Sequence, residues 1–173
     1  SGGVLTFASA PDYETKATYT ATVTASDGIN SSTQEVTITV TNVNDVAPSI
    51  TSSATFSAAE NQTAIGTVTA TDIEGDDITF SVTGTELAIT SGGVLTFASA
   101  PDYETKATYT ATVTASDGVN ASAQVITISV TNLNDNSPQI SSSSTASINE
   151  GAVSVITIQA SDADGDTVTY SLS

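Results

Sequence analysis

The acidic residues of this sequence recur in short polar motifs beside its turn signals. Between residues 60 and 135 these motifs are Glu60, Asp72-Ile73-Glu74-Gly75-Asp76-Asp77, Asp102-Tyr103-Glu104, Asp117 and Asn134-Asp135. Alternate carboxylates in an extended segment project to the same side, and they repel one another unless a cation neutralises them. Oxygen ligands suit Ca²⁺, which takes about six to eight of them, better than Mg²⁺, which prefers a strict octahedron rich in water. The motifs therefore predict calcium coordinated by oxygen.

The rest of the composition excludes most other chemistry. The chain has 173 residues, nineteen of them acidic, two basic (Lys16 and Lys106), and a formal charge of −17; His, Cys, Met, Trp and Arg are absent. Without His, Cys or Arg there is no imidazole base, no thiol nucleophile, no Cys or His zinc site and no Arg to bind a phosphate. The scarcity of basic residues disfavours nucleic acid and anionic membranes, and no apolar run is long enough to span a bilayer.

The chain is an internal repeat with a period of 90 residues. The segment Ser1–Gly28 is identical to Ser91–Gly118, and the two copies stay in register beyond it. The last residue, Ser173, aligns with Thr83, so only the seven-residue stretch from Gly84 to Thr90 lacks a second copy. We expect that stretch to be a loop.

Alternation with a period of two predicts strands throughout. Ala17, Tyr19, Ala21, Val23 and Ala25 alternate with Thr or Ser, and later runs do the same. Turn signals such as Asp27-Gly28 separate the runs. About seven runs between residues 46 and 135 predict an all-β, immunoglobulin-like Greek-key sandwich.

Two copies of a proline-terminated segment mark the domain borders. They read Asn42-Val43-Asn44-Asp45-Val46-Ala47-Pro48 and Asn132-Leu133-Asn134-Asp135-Asn136-Ser137-Pro138. Proline stiffens a junction and removes a ladder donor. We predict the C-terminal part of one repeat at 1–45, a complete repeat at 46–135, and the N-terminal part of another at 136–173. Neither end part alone can bury a core, so we expect them to pair head to tail between molecules, unless the segment belongs to a longer tandem array.

These motifs together resemble those of cadherin repeats. NVNDVAP and NLNDNSP are similar to the DxNDNxP linker of that family, and PDYE is similar to its DRE motif. Glu60 and Glu150 match the glutamate near the first strand, TDIEGD and SDADGD match the DxD motif, and TASDG matches the A-x-D-G motif. The resemblance covers the whole chain. Its Thr-rich, Cys-free form is closest to the bacterial cadherin-like repeats of large repeats-in-toxin surface adhesins.

The resemblance implies several calcium ions at each junction between successive domains. The first junction would use Asp12, Glu14, Asn42, Asn44, Asp45, Asp72, Glu74 and Asp117, together with the Val46 carbonyl. The second would use Glu60, Asp102, Glu104, Asn132, Asn134, Asp135, Asp162 and Asp164, together with the Asn136 carbonyl. The first lacks its upstream glutamate and the second its downstream aspartate.

The sequence departs from the family pattern at several of these positions. Asn42 and Asn132 replace the first aspartate of the linker, and Glu74 replaces an aspartate. Val46 replaces an asparagine, which matters little if only its carbonyl binds.

Simpler interpretations remain open for some motifs. Pro11 followed by Asp12 and Glu14 also favours a single helical turn. Asp117-Gly118 also fits a plain hairpin turn, and we expect Asp117 to serve as ligand and turn together. The aromatic residues of the strands are expected in the core rather than on a sugar-binding surface; they are Tyr19, Phe80, Tyr109 and Tyr170.

The resemblance implies a structural function. We expect a calcium-rigidified extender repeat that holds a terminal binding domain of a bacterial surface adhesin away from the cell, with neighbouring repeats as its partners. The alternative is a homophilic or carbohydrate-binding module that uses a face of the sandwich. An enzyme is disfavoured, because the carboxylates lie at junctions with no aromatic-lined cleft evident.

Overall fold

The computed structural model describes residues 2–172, and all regular elements in that range are strands. No described segment is a helix that could cross a membrane. The strands are β1 Thr18–Ser26, β2 Ser31–Thr39, β3 Ser49–Ile50, β4 Thr55–Ala59, β5 Ala64–Thr67, β6 Ala70–Thr71, β7 Thr79–Val82, β8 Leu87–Ile89, β9 Val94–Phe97, β10 Thr108–Ser116, β11 Ala121–Thr131, β12 Gln139–Ile140 and β13 Ala160–Ser161.

Two sheets pack around one core in the middle of the chain. One sheet has the order β4-β11-β10-β7, and the other has the order β5-β9-β8. Their seven strands agree with the predicted number, and a two-residue ladder of β3 with β6 adds to them. The strands bury every second side chain, so Val113, Ile126 and Ile128 from one sheet meet Leu95 and Phe97 from the other. The alternation of apolar residues with Thr explains this arrangement, since one face of each strand is buried and the other is solvated.

A glycine allows one close approach inside this core. Gly93 has a φ of +88°, and a Cβ atom built on it would lie 2.2 Å from the carbonyl oxygen of Val68. The amide of Val68 donates to the carbonyl of Gly93 at 2.8 Å. Only glycine combines this conformation with this contact.

The two end segments are exposed, in contrast to the middle of the chain. Every buried residue of the described chain lies between Pro48 and Val130. Leu5 is 56% exposed, whereas Leu95, its copy in an identical 28-residue segment, is fully buried. Within the described residues, 2–45 contains only the hairpin of β1 and β2, and 136–172 contains only the short pair of β12 and β13.

Two sequence-based expectations were wrong. The stretch from Gly84 to Thr90 is not merely a loop, because it contains β8, which pairs with β9 and buries Leu87 to 5% exposure. Tyr170 is 56% exposed rather than in a core. The alternation places it on an inner face, but this chain segment has no opposing sheet. Phe80 and Tyr109 do pack against the core, as predicted.

Candidate metal centres

Each PDYE motif enters a single hydrogen-bonded turn with a helix-like i to i+4 bond, close to the helical turn that the sequence allowed as a simpler interpretation. The side chain of Asp12 accepts hydrogen bonds from the Thr15 amide at 3.2 Å and the Thr15 hydroxyl at 2.9 Å. The Lys16 amide donates to the Asp12 carbonyl. The two hydrogen bonds from Thr15, the one from its hydroxyl first, lower the pKa of Asp12. Asp102 has the same contacts with Thr105, so both aspartates act as caps of a local turn.

The first junction brings together carboxylates from three separate segments. One oxygen each of Glu14, Asp45 and Glu74 lies within 4.8 Å of the others. The amides of Asp45 and Val46 donate to the two oxygens of Glu74 at 2.9 and 3.1 Å, which fixes its orientation against the linker. The backbone amide of Glu14 lowers its own pKa, but partial burial, Asp12 and the charge of Glu74 outweigh this effect and raise the pKa of Glu14.

The TDIEGD turn holds a second group of carboxylates beside the first. One oxygen of Asp72 accepts hydrogen bonds from the amides of Glu74, Gly75 and Asp76 at 2.9 to 3.2 Å. Gly75 has a positive φ, which this tight turn requires. The other oxygen of Asp72, Oδ2, is buried without a hydrogen-bond partner. Asp72, Glu74 and Asp76 each place one oxygen within 4.8 Å of the others.

The turn between β10 and β11 reaches the linker of the first junction. Asp117 Oδ1 accepts hydrogen bonds from the amides of Val119 at 2.7 Å and Asn120 at 2.6 Å. Asp117 Oδ2 is buried and unpartnered. The side-chain amide of Asn120 donates to Asn44 Oδ1 at 2.6 Å. Partial burial opposes ionisation of Asp117, but the hydrogen bonds from Asn120 and Val119 outweigh it and lower its pKa.

The second junction is built around a buried glutamate. Glu60 is 2% exposed, and its two oxygens accept hydrogen bonds from the amides of Leu133 at 2.7 Å and Tyr103 at 2.8 Å. One oxygen each of Glu60, Glu104 and Asp135 lies within 4.8 Å of the others. Partial burial raises the pKa of Glu104, and the charge of Glu60 adds to the shift, whereas the backbone amide of Glu104 opposes it.

The SDADGD turn supplies the carboxylates from the far side of the second junction. Asp164 accepts hydrogen bonds from the amides of Asp135 at 3.1 Å and Asn136 at 2.8 Å. Partial burial opposes ionisation of Asp164, but bonds from Asn136 outweigh it and lower its pKa. Asp162, Asp164 and Asp166 form a further group with oxygens within 4.8 Å. The side chain of Asn132 donates to the Asp164 carbonyl, and its own oxygen is buried and unpartnered.

The two junctions differ at one linker position. The side-chain amide of Asn136 donates to Asp135 at 2.8 Å, to Asp164 at 3.1 Å and to Glu104 at 3.3 Å. Val46 occupies the same place at the first junction and has no donor on its side chain. The side chain at this position therefore matters, because an amide among three carboxylates offsets part of their repulsion.

The predicted ligands differ in whether their side chains converge with others. The carboxylates of Glu14, Asp45, Asp72, Glu74, Glu60, Glu104, Asp135, Asp162 and Asp164 fall into the four groups. Asp12 and Asp102 stay with their turns, and Asn42 and Asn134 make no side-chain hydrogen bond within residues 2–172. Asp76 and Asp166 also belong to these groups, although they were not among the predicted ligands. Both lie in the repeated acidic runs, which was the available signal. Asn120, whose side chain holds Asn44, was not predicted either.

The donor set fits a hard divalent cation. The atoms that define the four acidic groups are all carboxylate oxygens, which suit Ca²⁺. Buried polar atoms in proteins are nearly always satisfied, yet Glu14 Oε1, Asp72 Oδ2, Asp117 Oδ2 and Asn132 Oδ1 have no protein partner. These buried oxygens lie beside clustered carboxylates and accept no hydrogen bond. A coordinated cation would satisfy them.

Comparison with known proteins identifies the family to which this fold is related. A family model described as "Bacterial Ig domain" matches residues 44–131. The mouse protein "Cadherin EGF LAG seven-pass G-type receptor 1" is 34% identical over 152 aligned positions, covering 80% of this chain. The Drosophila melanogaster protein "Protocadherin-like wing polarity protein stan" is 37% identical over 190 aligned positions, covering 94% of this chain.

A solved structure shares the architecture. The crystal structure of mouse cadherin-23 EC22-24 has a TM-score of 0.70 and 28% sequence identity, and the match covers 88% of this chain and 56% of that one. These findings confirm the predicted all-β, immunoglobulin-like fold and the cadherin-like character of the repeat. The chain spans only 5% of the length of each of the two curated relatives.

Proposed function

Since the chain belongs to the bacterial Ig domain family and is similar in fold to cadherin repeats, we propose that it is a calcium-rigidified extender repeat. It is part of the stalk of a bacterial cell-surface adhesin of the repeats-in-toxin type. The stalk projects a terminal binding domain away from the cell, and the direct partners of each repeat are its neighbours in the array.

The observation that carries this proposal is the convergence of carboxylates from both sides of each junction. Glu14 precedes the linker, Asp45 lies in it, and Glu74 belongs to the following repeat, yet their oxygens lie within 4.8 Å. Like charges this close disfavour ionisation, and the raised pKa of Glu14 reflects that repulsion in part. A cation shared by all three segments therefore stabilises the junction most, because it neutralises all three carboxylates.

The ligands at the first junction are Glu14, Asp45, Asp72, Glu74 and Asp117, whose side chains converge there or lie in its turns, with Asn44 and the Val46 carbonyl. At the second junction they are Glu60, Glu104, Asp135, Asp162 and Asp164, with Asn132 and the Asn136 carbonyl. Asp12 and Asp102 orient the turns that carry Glu14 and Glu104. Asp76 and Asp166 complete the acidic groups, and Asn42 and Asn134 remain candidate carbonyl or amide ligands.

Calcium supplies two positive charges and several coordination bonds to oxygen. The protein's own part is to hold the oxygens in place: Glu74 is fixed by two linker amides, and Asp72 by three amides of its turn. Because the ion binds only when both domains are correctly placed, it restricts the angle between them. By linkage it also stabilises the folded domains, by about 2.7 kcal/mol when free calcium is a hundred times its dissociation constant.

A stalk needs length as well as stiffness. The nine residues of β10, at about 3.3 Å per residue, span roughly 30 Å. Each repeat thus adds a few nanometres to the array, and near-identical copies suit a spacer in which every unit has the same role.

Small-angle scattering on a protein of several intact repeats tests the proposal. In calcium we expect the maximum dimension of a straight rod, and in chelator a shorter or broader distribution of distances. Glu35→Ala, at an exposed residue of β2, is the charge-matched control for substitutions within the acidic groups, since Glu35 belongs to none of them. A shape that does not respond to calcium would refute the hinge role of the acidic motifs. Ligand screening of the sandwich faces would then be the next step.

A further inference from the structure

Asn61 has an uncommon backbone conformation for its residue type. Among the described residues 2–172 it is the one non-glycine residue with a positive φ, +63°. Its copy 90 residues later is Gly151, whose φ is +85°, so this turn adopts a left-handed conformation in both copies. Glycine adopts that conformation without strain, whereas a residue with a Cβ atom does not. A side chain at position 61 therefore destabilises the turn unless it makes a contact that glycine cannot make.

The side chain of Asn61 makes such a contact with the linker of the second junction. Its Nδ2 donates a hydrogen bond to Asp135 Oδ2, and the two residues are 74 positions apart in sequence. Hydrogen bonds to a carboxylate are stronger than those between neutral groups. Asp135 is exposed, and an exposed side chain changes its rotamer readily unless a partner holds it. The bond from Asn61 thus restrains the Asp135 carboxylate.

Glu60 and Asn61 together contact alternate residues of the linker. The Glu60 amide donates to the Thr131 carbonyl at 3.2 Å, and the Glu60 side chain accepts a hydrogen bond from the Leu133 amide at 2.7 Å. Asn61 then binds Asp135, two residues further along. These contacts continue the parallel pairing of β4 with β11, whose last pair lies just before Glu60. The linker is therefore fixed against the sandwich as far as its aspartate.

The turn at Asn61 is itself anchored on the repeat. The Asn61 backbone amide donates to the Pro101 carbonyl at 3.0 Å, and the buried Glu60 beside it accepts a hydrogen bond from the Tyr103 amide at 2.8 Å. Both bonds lead to the PDYE segment, which carries Glu104. A hydrogen bond from the Asn61 side chain therefore connects its acceptor to the body of the sandwich.

The two oxygens of the Asp135 carboxylate have different donors. Oδ1 accepts a hydrogen bond from the side-chain amide of Asn136 at 2.8 Å, but Asn136 is the next residue of the linker, so this bond does not fix Asp135 relative to the sandwich. Oδ2 accepts its hydrogen bond from Asn61, which belongs to the preceding sandwich. A carboxylate offers about four lone pairs, so the two bonds leave acceptor capacity for a cation. Asn61 thus orients the carboxylate without blocking it.

We propose that Asn61 is a positioning residue for calcium at the second junction, and that it acts by restraining the carboxylate of Asp135 against the sandwich. The calcium part rests on the proposed function, in which Asp135 is a ligand, whereas the restraint does not. Partners that orient metal ligands typically contribute about ten- to a hundredfold to metal affinity. Since both side chains are exposed, we expect the lower end of that range, roughly tenfold.

Asn61→Gly separates this role from that of an ordinary turn residue. Glycine keeps the positive φ and removes the strain together with the side chain. The free energy of unfolding in chelator should therefore change little, because relief of strain offsets the loss of an exposed hydrogen bond. Calcium affinity at the second junction should nevertheless fall roughly tenfold, which a residue that served only the turn would not cause. Gln62→Ala, at the neighbouring exposed residue, is the control and should change neither quantity.

A calcium titration of the 173-residue chain followed by heteronuclear NMR measures each junction separately. The amide signals of Asp135 and Asp164 report on the second junction, and those of Asp45 and Glu74 report on the first. In Asn61→Gly the midpoint at the second junction should move to roughly tenfold higher calcium, and the midpoint at the first should stay unchanged. In an Asp135→Ala background, Asn61→Gly should have no further effect, because the two residues act as a unit.

Backbone relaxation in chelator tests the restraint without calcium. The order parameter of the Asp135 amide should fall in Asn61→Gly, whereas that of Leu133, which Glu60 holds, should not change. An unchanged order parameter at Asp135 would overturn the proposal. So would an unchanged midpoint at the second junction when the wild type binds calcium there. A wild type that shows no response to calcium at either junction would refute the proposed function, and the order parameter would still decide whether Asn61 restrains Asp135.

Discussion

Gly93 provides a sharp test of the packing, because the chain contains its own control. Gly93 lies between β8 and β9 with a φ of +88°, and its carbonyl accepts a hydrogen bond from Val68. Gly3 lies in the same local sequence, SGGV, but a Cβ atom there would meet nothing within 4 Å. We predict that Gly93→Ala strongly destabilises the repeat and that Gly3→Ala does not.

The magnitude follows from the contacts at Gly93. A positive φ costs alanine about 1–2 kcal/mol. The new Cβ atom would be 2.2 Å from the Val68 carbonyl oxygen, so the two segments must separate by roughly 1 Å. That shift weakens the hydrogen bond between them, at about 1 kcal/mol. It also loosens the packing of Val68, at about 1–2 kcal/mol. The total is about 3–5 kcal/mol, a large part of the stability of a small domain.

Urea unfolding followed by far-ultraviolet circular dichroism, in chelator, measures both variants without a contribution from bound calcium. Gly3→Ala should change the free energy of unfolding by less than about 0.5 kcal/mol, or stabilise slightly through the unfolded chain. If the free energies of unfolding of the two variants differed by less than about 1 kcal/mol, Gly93 would not approach Val68 closely in solution, and the reasoning would fail.

The remaining predictions concern the second junction and the core. Glu60→Ala should lower the free energy of unfolding in chelator by about 2 kcal/mol, because two backbone amides lose their acceptor. Glu150→Ala, at the exposed copy, should lower it by less than about 0.5 kcal/mol. Equal effects of the two substitutions in urea unfolding would contradict this. Phe56→Ala should cost about 3 kcal/mol by opening a cavity. Adding Gly66→Ile should recover part of it, because a Cβ atom on Gly66 would lie 3.3 Å from the Phe56 ring; an additive double-mutant cycle would refute this contact. Asp135→Ala should weaken calcium binding in titration calorimetry and shorten the scattering dimension in calcium, with the sandwich still folded by circular dichroism; unchanged affinity and shape would remove Asp135 from the ligand set.

Much of the candidate site could be predicted from the sequence because its geometry is local. The acidic run around Asp72 closes on its own amides, and Asp117 caps its own hairpin turn. The repeated motifs were therefore sufficient to identify those residues. The side-chain role of Asn136 could not be predicted, since it depends on Glu104 and Asp164, each about thirty residues away in sequence.

The identical segments Ser1–Gly28 and Ser91–Gly118 separate what the sequence determines from what the tertiary structure decides. The sequence alone determines the turns and the local aromatic contact, which recur in both copies: Phe7 and Tyr19 have ring centroids 4.9 Å apart, and Phe97 and Tyr109 have theirs 5.0 Å apart. The partners of these contacts lie within the same segment.

Strand formation and burial differ between the same two copies. Val94–Phe97 is β9 and enters the core, whereas the identical residues 4–7 form no strand and remain exposed. A ladder and a core need partners from distant parts of the chain, which only the second copy has in place: β5 and β8 on either side of β9, and the opposing sheet above it. The sequence thus determines which residues can form a strand and a core, and the tertiary structure decides whether they do.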